Sequence, residues 1–550
     1  MSLEASSNPG GAAPRVADSI ARTLKAYGVR YAFGIPGNDV LETIRACEEH
    51  GIEFILAKSE PSAAFMADAV YQLTGAPSVL IPALGPGIAN AVSGIAGAWM
   101  ERSAVVVLSG EMATNRLGIY NHQVCDHVAL ATPVTKYAAN LNPDRPAQHV
   151  AKALDIALDY PPGPVLLNVP ADCNRRAAQV EETLRPASVA SAQLAAGQAS
   201  ELAQLLQEAR NPVVLAGRGC LQPGVADALR QFVECWQFPV LTTYKAKGVV
   251  DETGPLSLGA VGLSPVVDAR VQELLDRSDR VVMVGFDPIE LRDAWLNAWP
   301  EARACVSIDW SVQNHRIFPV GRQAVGDVAA ILGQLRPADG AQLRFWADEY
   351  PQQLKRELQE LTAPRAPAQG ISPAGLFRCV SDHATSDWLM TVDVGAHRIL
   401  ANHVIRCTQP GQLLQSNGLG CMGYAVPAAI GAQVVHPDKT VVALLGDGCM
   451  LMTQGELALA AERNLPLVVV VLNDAALSLI KLKQSKMNMQ ARAVDFVSPR
   501  FDQIAEGFGA RGVRVQSIDA FDAALREAVA SRRLTVIDAQ VDPSEYWDEM

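Results

Sequence analysis

The residues best suited to chemistry lie in the last third of the sequence, on either side of one predicted crossover helix. The apolar run TVVALL leads into Gly446-Asp447-Gly448, and the next run, LVVVVL, ends in Asn473-Asp474. Parallel strands joined in this way bring their carboxyl-terminal loops together, so Asp447 and Asn473 are expected to face one another. Hard oxygen ligands suit Mg²⁺, and a glycine-rich turn before a helix offers N–H groups to phosphate. The pattern predicts a metal-bridged diphosphate site, although spacing alone leaves two ordinary turns as an alternative.

A second glycine-rich loop in the same region allows a different cofactor. Residues 418–423 read G-x-G-x-x-G and precede helix-like sequence, as in a dinucleotide-binding fingerprint. The preceding stretch, QPGQLLQSN, is a poor strand, and the acidic residue downstream, Asp447, lies in a glycine-rich turn of its own. A nicotinamide-dependent oxidoreductase therefore remains the alternative from a different class.

A single acidic residue near the front of the chain is the third candidate. Glu60 follows the apolar run FILA and precedes a helix predicted over residues 63–73. A carboxylate in the first turn of a helix is stabilised by the helix dipole, which would be enough to explain a lone glutamate. A role for Glu60 in binding a cofactor therefore depends on the rest of the sequence.

The elements that must position these residues alternate between strand and helix along the whole chain. This alternation predicts an α/β protein with three open parallel-sheet domains in series, at 14–180, 198–335 and 370–550. A small polar stretch at 181–200 and a proline-rich one at 336–373 are the predicted connectors. In such sheets, functional loops follow the carboxyl ends of the strands.

Short apolar runs mark the strands of these domains. Most consist of valine, isoleucine and leucine without polar alternation, which is typical of parallel strands buried on both faces. The predicted strands are 31–33, 54–57, 78–82, 212–216, 239–242, 281–284, 304–308, 388–392, 440–445, 467–472 and 534–540.

The composition excludes several classes of protein. Of the 550 residues, 49% are apolar and 19% charged, which excludes a disordered or fibrous chain. Lys plus Arg number 46 and Asp plus Glu 58, so the net charge of 46 − 58 = −12 disfavours nucleic acid as a partner. The apolar runs are strand-sized, and the N-terminal stretch has no signal-peptide core. We therefore expect no membrane association and a cytoplasmic location. The ten cysteines form no CxxC pair, so neither disulfides nor zinc is predicted.

Ordered motifs along the chain resemble one enzyme family. They are GIPGN at 34–38, LGPGIAN at 84–90, HQVCDHVALATPVTKY at 122–137 and SNGLGCMGYAVPAAIGA at 416–432, together with Glu60, the GDG turn and Asn473. Over essentially its whole length the chain resembles thiamine-diphosphate-dependent enzymes of the acetolactate synthase-like family. It looks closest to the catabolic members that need no flavin. The resemblance implies a pyrimidine-binding, a central nucleotide-fold-like and a diphosphate-binding domain, in that order.

The resemblance also implies roles for individual residues. Glu60 looks like the glutamate that hydrogen-bonds N1′ of the cofactor's aminopyrimidine, and Met422 like the apolar residue on which the cofactor bends. Gln123 and Gly37 are the other predicted catalytic residues. Asp447, Asn473 and the carbonyl group of Ala475 are the predicted Mg²⁺ ligands, the last two also counting as cofactor contacts. The remaining predicted cofactor contacts are Pro36, Asn90, Gly395, His397, Gly420, Gly446, Gly448, Cys449 and Leu477.

The implied activity is a thiamine-diphosphate- and Mg²⁺-dependent decarboxylating carboligation, with pyruvate or a related 2-oxo acid as donor. The alternatives within the fold are a 2-oxo acid decarboxylase or other C–C lyase that does not carboligate, and a non-catalytic relative. FAD in the central domain is possible but not predicted. The resemblance implies a homodimer or homotetramer with active sites at the subunit interface.

Two departures from the family pattern bear on the substrate. Ser59 stands where many acetolactate synthases have histidine before the glutamate, and Lys483 aligns with a tryptophan of the flavin-containing members. A lysine at the pocket would favour an anionic substrate, although exposed helical lysines are usually just solvated.

Overall fold

The computed structural model describes residues 14–178, 183–187, 190–296, 298–299, 301–315, 317–338, 340 and 343–547. The chain divides into two compact units, residues 1–188 and 189–550. The predicted ends of the first and third domains, at 179–180 and 548–550, lie outside the described residues, as does part of the connector predicted at 181–200. The domain limits stay predictions.

The first unit is built on a parallel sheet. Its strands are β1 (Tyr31–Ile35), β2 (Glu53–Leu56), β3 (Ser78–Pro82), β4 (Val105–Glu111), β5 (Tyr137–Asn140) and β6 (Val165–Pro170). Its helices are α1 (Val16–Ala26), α2 (Leu41–Glu49), α3 (Glu60–Thr74), α4 (Pro86–Met100), α5 (His127–Ala131) and α6 (Pro146–Leu158). Among the described residues the strand order is β2-β1-β3-β4-β6-β5, and β3, β4 and β6 are buried along their whole length.

The second unit contains a central sheet that resembles the first. Its strands are β7 (Pro212–Ala216), β8 (Val240–Thr243), β9 (Ser257–Val261), β10 (Arg280–Val284), β11 (Cys305–Asp309) and β12 (Arg322–Val325). The helices in this part are α7 (Ala196–Gln207), α8 (Val225–Trp236), α9 (Pro265–Arg277), α10 (Val328–Gln334) and α11 (Tyr350–Leu361). The described strands run parallel in the order β12-β11-β10-β7-β8-β9.

The second unit continues into a third parallel sheet at the C-terminal end of the chain. Its strands are β13 (Trp388–Val392), β14 (Leu413–Gln415), β15 (Thr440–Gly446), β16 (Leu467–Asn473), β17 (Arg511–Val515) and β18 (Thr535–Gln540). Its helices are α12 (Pro373–His383), α13 (Ala396–Val404), α14 (Ala425–Val435), α15 (Asp447–Thr453), α16 (Glu456–Glu462), α17 (Ser478–Lys486), α18 (Phe501–Gly507) and α19 (Ile518–Ser531). The order is β14-β13-β15-β16-β18-β17 in the described part of the chain, and β16, which is apolar up to its last residue Asn473, is fully buried near the centre of the sheet.

The predicted fold class is confirmed: the described residues form three parallel six-stranded sheets in series. Seven strands were not predicted, namely β4, β5, β6, β9, β12, β14 and β17, and five of them, β5, β9, β12, β14 and β17, lie at sheet edges. Among the edge strands, β9, β14 and β17 have few apolar residues in a row and β12 is largely exposed. The inner strands β4 and β6 are fully buried and contain apolar runs that the sequence analysis did not single out. The stretch QPGQLLQSN, which the sequence suggests is a poor strand, does contain the short strand β14.

No helix in the described residues is both long enough and apolar enough to cross a membrane.

Candidate active site

The strongest candidate site is a cavity at the carboxyl-terminal edge of the third sheet, within the second unit. Its volume is about 210 Å³. The strand order reverses between β13 and β15, and in open α/β sheets this switch point is where ligands bind. The predicted residues that line the cavity are Gly395, His397, Gly420, Met422, Gly446, Asp447, Gly448, Cys449 and Leu477.

Asp447 lies at the floor of this cavity because α15 begins directly where β15 ends. Its Oδ1 accepts a hydrogen bond from the backbone N–H of Gly448 at 2.7 Å, and its Oδ2 accepts one from the N–H of Ala475 at 2.7 Å. The loops after β15 and β16 therefore touch, as the sequence predicts. Asn473 and Ala475 are not among the lining residues; Ala475 donates its N–H to Asp447, and Asn473 lies between Leu472 and Asp474, which both line the cavity.

The electrostatics of this corner favour a cation. Burial, together with the nearby charge of Asp474, raises the pKa of the Asp447 carboxyl to about 7. Two carboxylates so placed repel each other unless a positive charge lies between or beside them. Asn473 donates its Nδ2 hydrogen to Asp538 Oδ1 at 2.8 Å, which leaves the amide oxygen as the atom able to bind a metal.

Ala475 has a backbone conformation that is rare for alanine. Its φ of +57° is in the left-handed region, which costs free energy for a residue with a Cβ atom. The carbonyl oxygen of Ala475 accepts one hydrogen bond, from the N–H of Phe496 at 3.1 Å, and has a second lone pair to offer. A strained backbone at a residue that also donates a hydrogen bond to Asp447 is typical of functional loops.

His397 gives the clearest sign that the cavity takes a ligand. The side chain is 5% exposed, and its buried Nε2 atom has no hydrogen-bond partner among the described residues. Burial, and to a lesser degree the charge of Arg398, lowers the pKa of the imidazole to about 3, so the ring is neutral. A buried polar atom without a partner is costly, and in the tautomer that carries its hydrogen on Nε2 the ring would donate to a ligand oxygen within the cavity.

The glycines of the cavity keep it open. A Cβ atom on Gly448 would lie 2.9 Å from Leu477 Cδ2 and 3.6 Å from Met422 Cε, and one on Gly446 would lie 3.3 Å from His397 Cε1. Side chains at these positions would fill the space beside Asp447. The site fits a magnesium-bound diphosphate group. Carbonyl and carboxylate oxygens could bind the metal, and the neutral imidazole and the glycine-lined wall could contact the diphosphate.

Asp393 supports this site and was missed by the sequence analysis. The carboxylate is fully buried and accepts backbone hydrogen bonds from Val394, Gly423 and Ala425 at 2.8–2.9 Å. It thereby fixes the turn that carries Met422. The signal was available, because Asp393 is the first polar residue after the buried run of β13.

In the first unit, Glu60 lies at the start of α3. The helix is capped by Ser59, whose hydroxyl accepts from the N–H of Ser62, and Glu60 is only 9% exposed. Asn90 on α4 donates its Nδ2 hydrogen to Glu60 Oε2 at 3.3 Å. A Cβ on Gly87 would lie 3.6 Å from Glu60 Oε1. The structure therefore brings two predicted residues, Glu60 and Asn90, together.

The other predicted residues of the first unit lie on neighbouring strand-end loops. Pro36 and Gly37 follow β1, and a Cβ on Gly37 would lie 2.6 Å from Ala83 Cβ in the loop after β3. Asp39, which the sequence analysis did not single out, joins these loops by accepting from the N–H of Leu84 at 2.9 Å. The switch point of this sheet lies between β1 and β3.

Gln123 is held beside the same loop. Its side chain is exposed and its φ is +59°, and a Cβ on Gly85 would lie 2.4 Å from its carbonyl oxygen. The Gly85 N–H donates to His127 Nε2 at 3.2 Å, so the proton of this buried imidazole lies on Nδ1, towards Ser109. His127 thus fixes the loop that carries Gly85, and the sequence analysis did not single it out.

In the central sheet the corresponding crevice, between β7 and β10, is crossed by backbone. The N–H of Gly219 donates to the carbonyl of Gly285 at 2.7 Å, and a Cβ on Gly219 would lie 2.7 Å from the Cα of Gly285. The absence of FAD from this domain stays a prediction.

Comparisons with known proteins agree with this arrangement. The family described as "Thiamine pyrophosphate enzyme" matches in three parts: the N-terminal TPP binding domain at residues 14–130, the central domain at 199–335 and the C-terminal TPP binding domain at 393–539. The chain is 31% identical to an acetolactate synthase of Bacillus subtilis over 96% of this chain and 94% of the relative. It is 30% identical to the catabolic acetolactate synthase of Raoultella terrigena, with 96% and 95% covered, and 29% identical to the large subunit of acetolactate synthase isozyme 3 of Escherichia coli, with 96% and 95% covered.

Proposed function

The chain belongs to the thiamine pyrophosphate (thiamine diphosphate) enzymes, among the acetolactate synthase-like members, and from this premise we propose that it is a Mg²⁺-dependent carboligase. It would decarboxylate a 2-oxo acid, with pyruvate as the first donor to test, and join the remaining fragment to a second carbonyl compound. The observation that carries the proposal is the cavity at the switch point of the third sheet, where two carboxylates, Asp447 and Asp474, lie close together and the Nε2 atom of His397 has no partner.

The residues that would hold the cofactor follow from their donor atoms. Asp447, the amide oxygen of Asn473 and the carbonyl of Ala475 are the proposed Mg²⁺ ligands. His397 and the N–H groups at the start of α15 are the proposed diphosphate contacts. Met422 would support the ring system, since an unbranched thioether adapts to an irregular surface. When bound, thiamine diphosphate supplies the electron sink that allows the bond to the carboxylate carbon to break.

Glu60 is the proposed acid–base residue. Its carboxylate is buried, anchored by Asn90 and set at a helix start that does not need it for capping, because Ser59 fills that role. Such a group can exchange a proton with a ring nitrogen of the aminopyrimidine. Gln123 and Gly37, on adjoining loops, would contact the reacting carbonyl compound. Since the proposed metal ligands and Glu60 belong to different units, we also propose a homodimer or homotetramer in which subunits share active sites.

The substrate pocket is proposed to accept anions. Lys481 is paired with Asp495 at 2.7 Å, whereas Lys483 is exposed on the same helix, α17. Of the two, Lys483 is thus the better candidate to meet an acceptor carboxylate. A decarboxylase that releases an aldehyde is the second candidate within the family, because it would use the same cofactor site and end the cycle with a proton.

Product analysis separates these candidates. Purified protein with thiamine diphosphate and Mg²⁺ is incubated with pyruvate, alone and with an added aldehyde or second 2-oxo acid, and both CO₂ and organic products are measured. Carboligation predicts about one hydroxy-ketone product per CO₂ when donor and acceptor are both pyruvate. Aldehyde in equal amount to CO₂ would favour the decarboxylase. An NADH-dependent absorbance change that does not require thiamine diphosphate would favour the oxidoreductase.

A further inference from the structure

A second cavity in the 189–550 unit has no lining residue in common with the candidate active site. It lies where the edge strand β9 of the central sheet meets helices α11, α12 and α13. Its volume, counted as space open to the centre of a water molecule, is about 60 Å³. Among its lining residues are five charged side chains: Lys247, Glu252, Lys355, Arg378 and Arg406.

The one carboxylate of this group is already neutralised. Lys247 Nζ lies 2.9 Å and 2.8 Å from the two carboxylate oxygens of Glu252, and both side chains are almost completely buried. Glu252 also accepts from the N–H of Cys407 at 2.8 Å. Lys247 and Glu252 therefore contribute no net charge to the cavity.

The other three cations have no carboxylate partner. Within the described part of the chain, no acidic oxygen lies within 4 Å of Lys355, Arg378 or Arg406; the Lys355 ammonium donates instead to the carbonyl of Gly254. All three side chains are partly buried. Burial, followed by the positive charge of Arg406, lowers the pKa of Lys355, and the carboxylates of Glu252 and Asp251, which form no ion pair with it, partly oppose this shift. Three unpaired cations converge in a chain whose overall charge is −12.

Two buried polar atoms at the same cavity also lack partners. Ser257 is 1% exposed, and its Oγ makes no hydrogen bond to any described residue. The same holds for the buried Nε of Arg378. A hydroxyl and a guanidinium N–H left unsatisfied beside one cavity are the donors that an anion would use, and leaving them unsatisfied is costly.

We propose that this cavity binds a small tetrahedral oxyanion of the phosphate or sulfate class. Its partners would be Ser257, Lys355, Arg378 and Arg406. Guanidinium groups recognise such oxyanions in a bidentate manner. The size of the cavity sets the size of the ligand: a water needs about 10–15 Å³ by this measure, so 60 Å³ holds roughly four waters or one such ion. A nucleotide would need a pocket of about 300 Å³ or more.

The bound oxyanion would tie four elements together. Ser257 is on β9, Lys355 on α11 and Arg378 on α12, and Arg406 follows α13. The central sheet, the connector helix and the C-terminal helices thus share one counter-ion. Binding to the folded chain alone stabilises it against unfolding in proportion to the logarithm of ligand concentration.

Equilibrium dialysis with radiolabelled inorganic phosphate tests the site directly. The protein is first saturated with thiamine diphosphate and Mg²⁺, so that phosphate cannot occupy the diphosphate contacts. We expect one phosphate per chain in the wild type, at least about tenfold weaker binding in Arg378→Gln, and weaker binding in Ser257→Ala. Arg356→Gln is the matched control, because Arg356 is exposed on the same helix as Lys355, and it should bind as the wild type does. No binding to the wild type at about 10 mM phosphate, or equal binding in Arg378→Gln and Ser257→Ala, would overturn the proposal.

The unfolding temperature provides a second readout. Its direction of change in Arg378→Gln depends on whether the cavity holds a cluster of like charges. In chloride buffer, Arg378→Gln should unfold at the same temperature as the wild type or higher, because one of three like charges is removed. Phosphate at equal ionic strength should raise the unfolding temperature of the wild type by about 2 °C, and that of Arg378→Gln by much less. An equal rise in both proteins would contradict a site at Arg378.

Discussion

In the C-terminal sheet the strand order reverses between β13 and β15, and in the central sheet it reverses between β7 and β10. The loops at the first reversal enclose a cavity of about 210 Å³. At the second reversal, the backbones of Gly219 and Gly285 are hydrogen-bonded to each other. Two sheets of the same architecture in one unit thus differ in what their strand-end loops leave between them.

Each of these two strand-end regions also buries a carboxylate. The two carboxylates differ in whether the protein itself balances their charge. Burial raises the pKa of both Asp447 and Glu290 to about 7. Glu290 accepts hydrogen bonds from the hydroxyl of Thr243 at 2.6 Å and the N–H of Arg218 at 3.0 Å, and the positive charge of Arg218 opposes the effect of the nearby Asp287 carboxylate on its pKa. Asp447 also has a carboxylate close by, Asp474, but no positive charge contributes to its pKa. The Glu290 carboxylate therefore needs no ligand, whereas the Asp447 carboxylate would be stabilised by a bound cation. In this unit the loops, and not the sheet, therefore determine where a site forms.

The largest expected effect belongs to Glu60, which we assign to chemistry and not to binding. Glu60→Gln keeps the size of the side chain but cannot exchange a proton, so turnover should fall by about 100- to 10,000-fold. The dissociation constant for thiamine diphosphate should change by about threefold or less, since the diphosphate and metal contacts remain. Steady-state kinetics and calorimetry measure the two quantities. Glu48→Gln, at an exposed position on α2, is the control, and near-normal turnover in Glu60→Gln would remove the assigned role.

Asp447→Ala tests the cavity between β13 and β15 and should weaken cofactor binding. Loss of a charged metal ligand is expected to weaken Mg²⁺-dependent cofactor binding by about 100-fold or more. The affinity is measured by titration with thiamine diphosphate at fixed low Mg²⁺. The exposed Asp519→Ala provides the control for loss of one negative charge. If Asp447→Ala bound the cofactor normally, Asp447 would not be a metal ligand.

Glu290→Gln tests the crevice between β7 and β10, which backbone fills, through the pH dependence of the free energy of unfolding. The folded-state pKa of about 7 lies above the ordinary value, so the wild type loses free energy of unfolding as pH rises from about 4.5 to 7. The glutamine lacks this titration, and its amide can donate to Thr243 and accept from the N–H of Arg218. The free energy of unfolding of the variant relative to the wild type should therefore increase by about 2 kcal/mol across that range. Denaturant melts at several pH values measure it, and a pH-independent difference would contradict the assigned burial.

The smallest expected effects come from one substitution made in both regions. In Gly448→Ala the new methyl group meets the flexible end of Leu477 and occupies the cavity, so cofactor affinity should fall about tenfold with little change in unfolding temperature. In Gly219→Ala it meets the backbone of Gly285, so the free energy of unfolding should fall by about 1–2 kcal/mol with unchanged cofactor affinity. Each variant serves as the control for the other. The reverse pattern of effects would break the comparison.

The sequence alone was sufficient for the parts of the structure that depend on local pattern. Uninterrupted apolar runs predicted buried strands such as β3, β13 and β16, although the buried β4 and β6 were not singled out. The GDG turn with Asn473 predicted the contact between the loops after β15 and β16, because a parallel crossover allows few other arrangements. Edge strands such as β12 were missed because an exposed strand has no apolar run to reveal it.

Residues that act through long-range contacts were not predictable in the same way. His127 reaches Gly85 from 42 positions away, and Tyr546, which lines the cavity, comes from the far end of the chain. The left-handed conformation of Ala475 is imposed by its hydrogen bonds and not by its residue type. Such features depend on how elements pack, which a single sequence does not specify locally.

The most direct test of the central claim is calorimetric titration of the purified wild-type chain with thiamine diphosphate, in the presence of Mg²⁺ and again after the metal is removed with a chelator. The structure predicts one cofactor bound per chain when Mg²⁺ is present and a loss of at least about tenfold in affinity without it. A chain that binds no thiamine diphosphate, or that binds it equally well without the metal, would contradict the assignment of the cavity at Asp447.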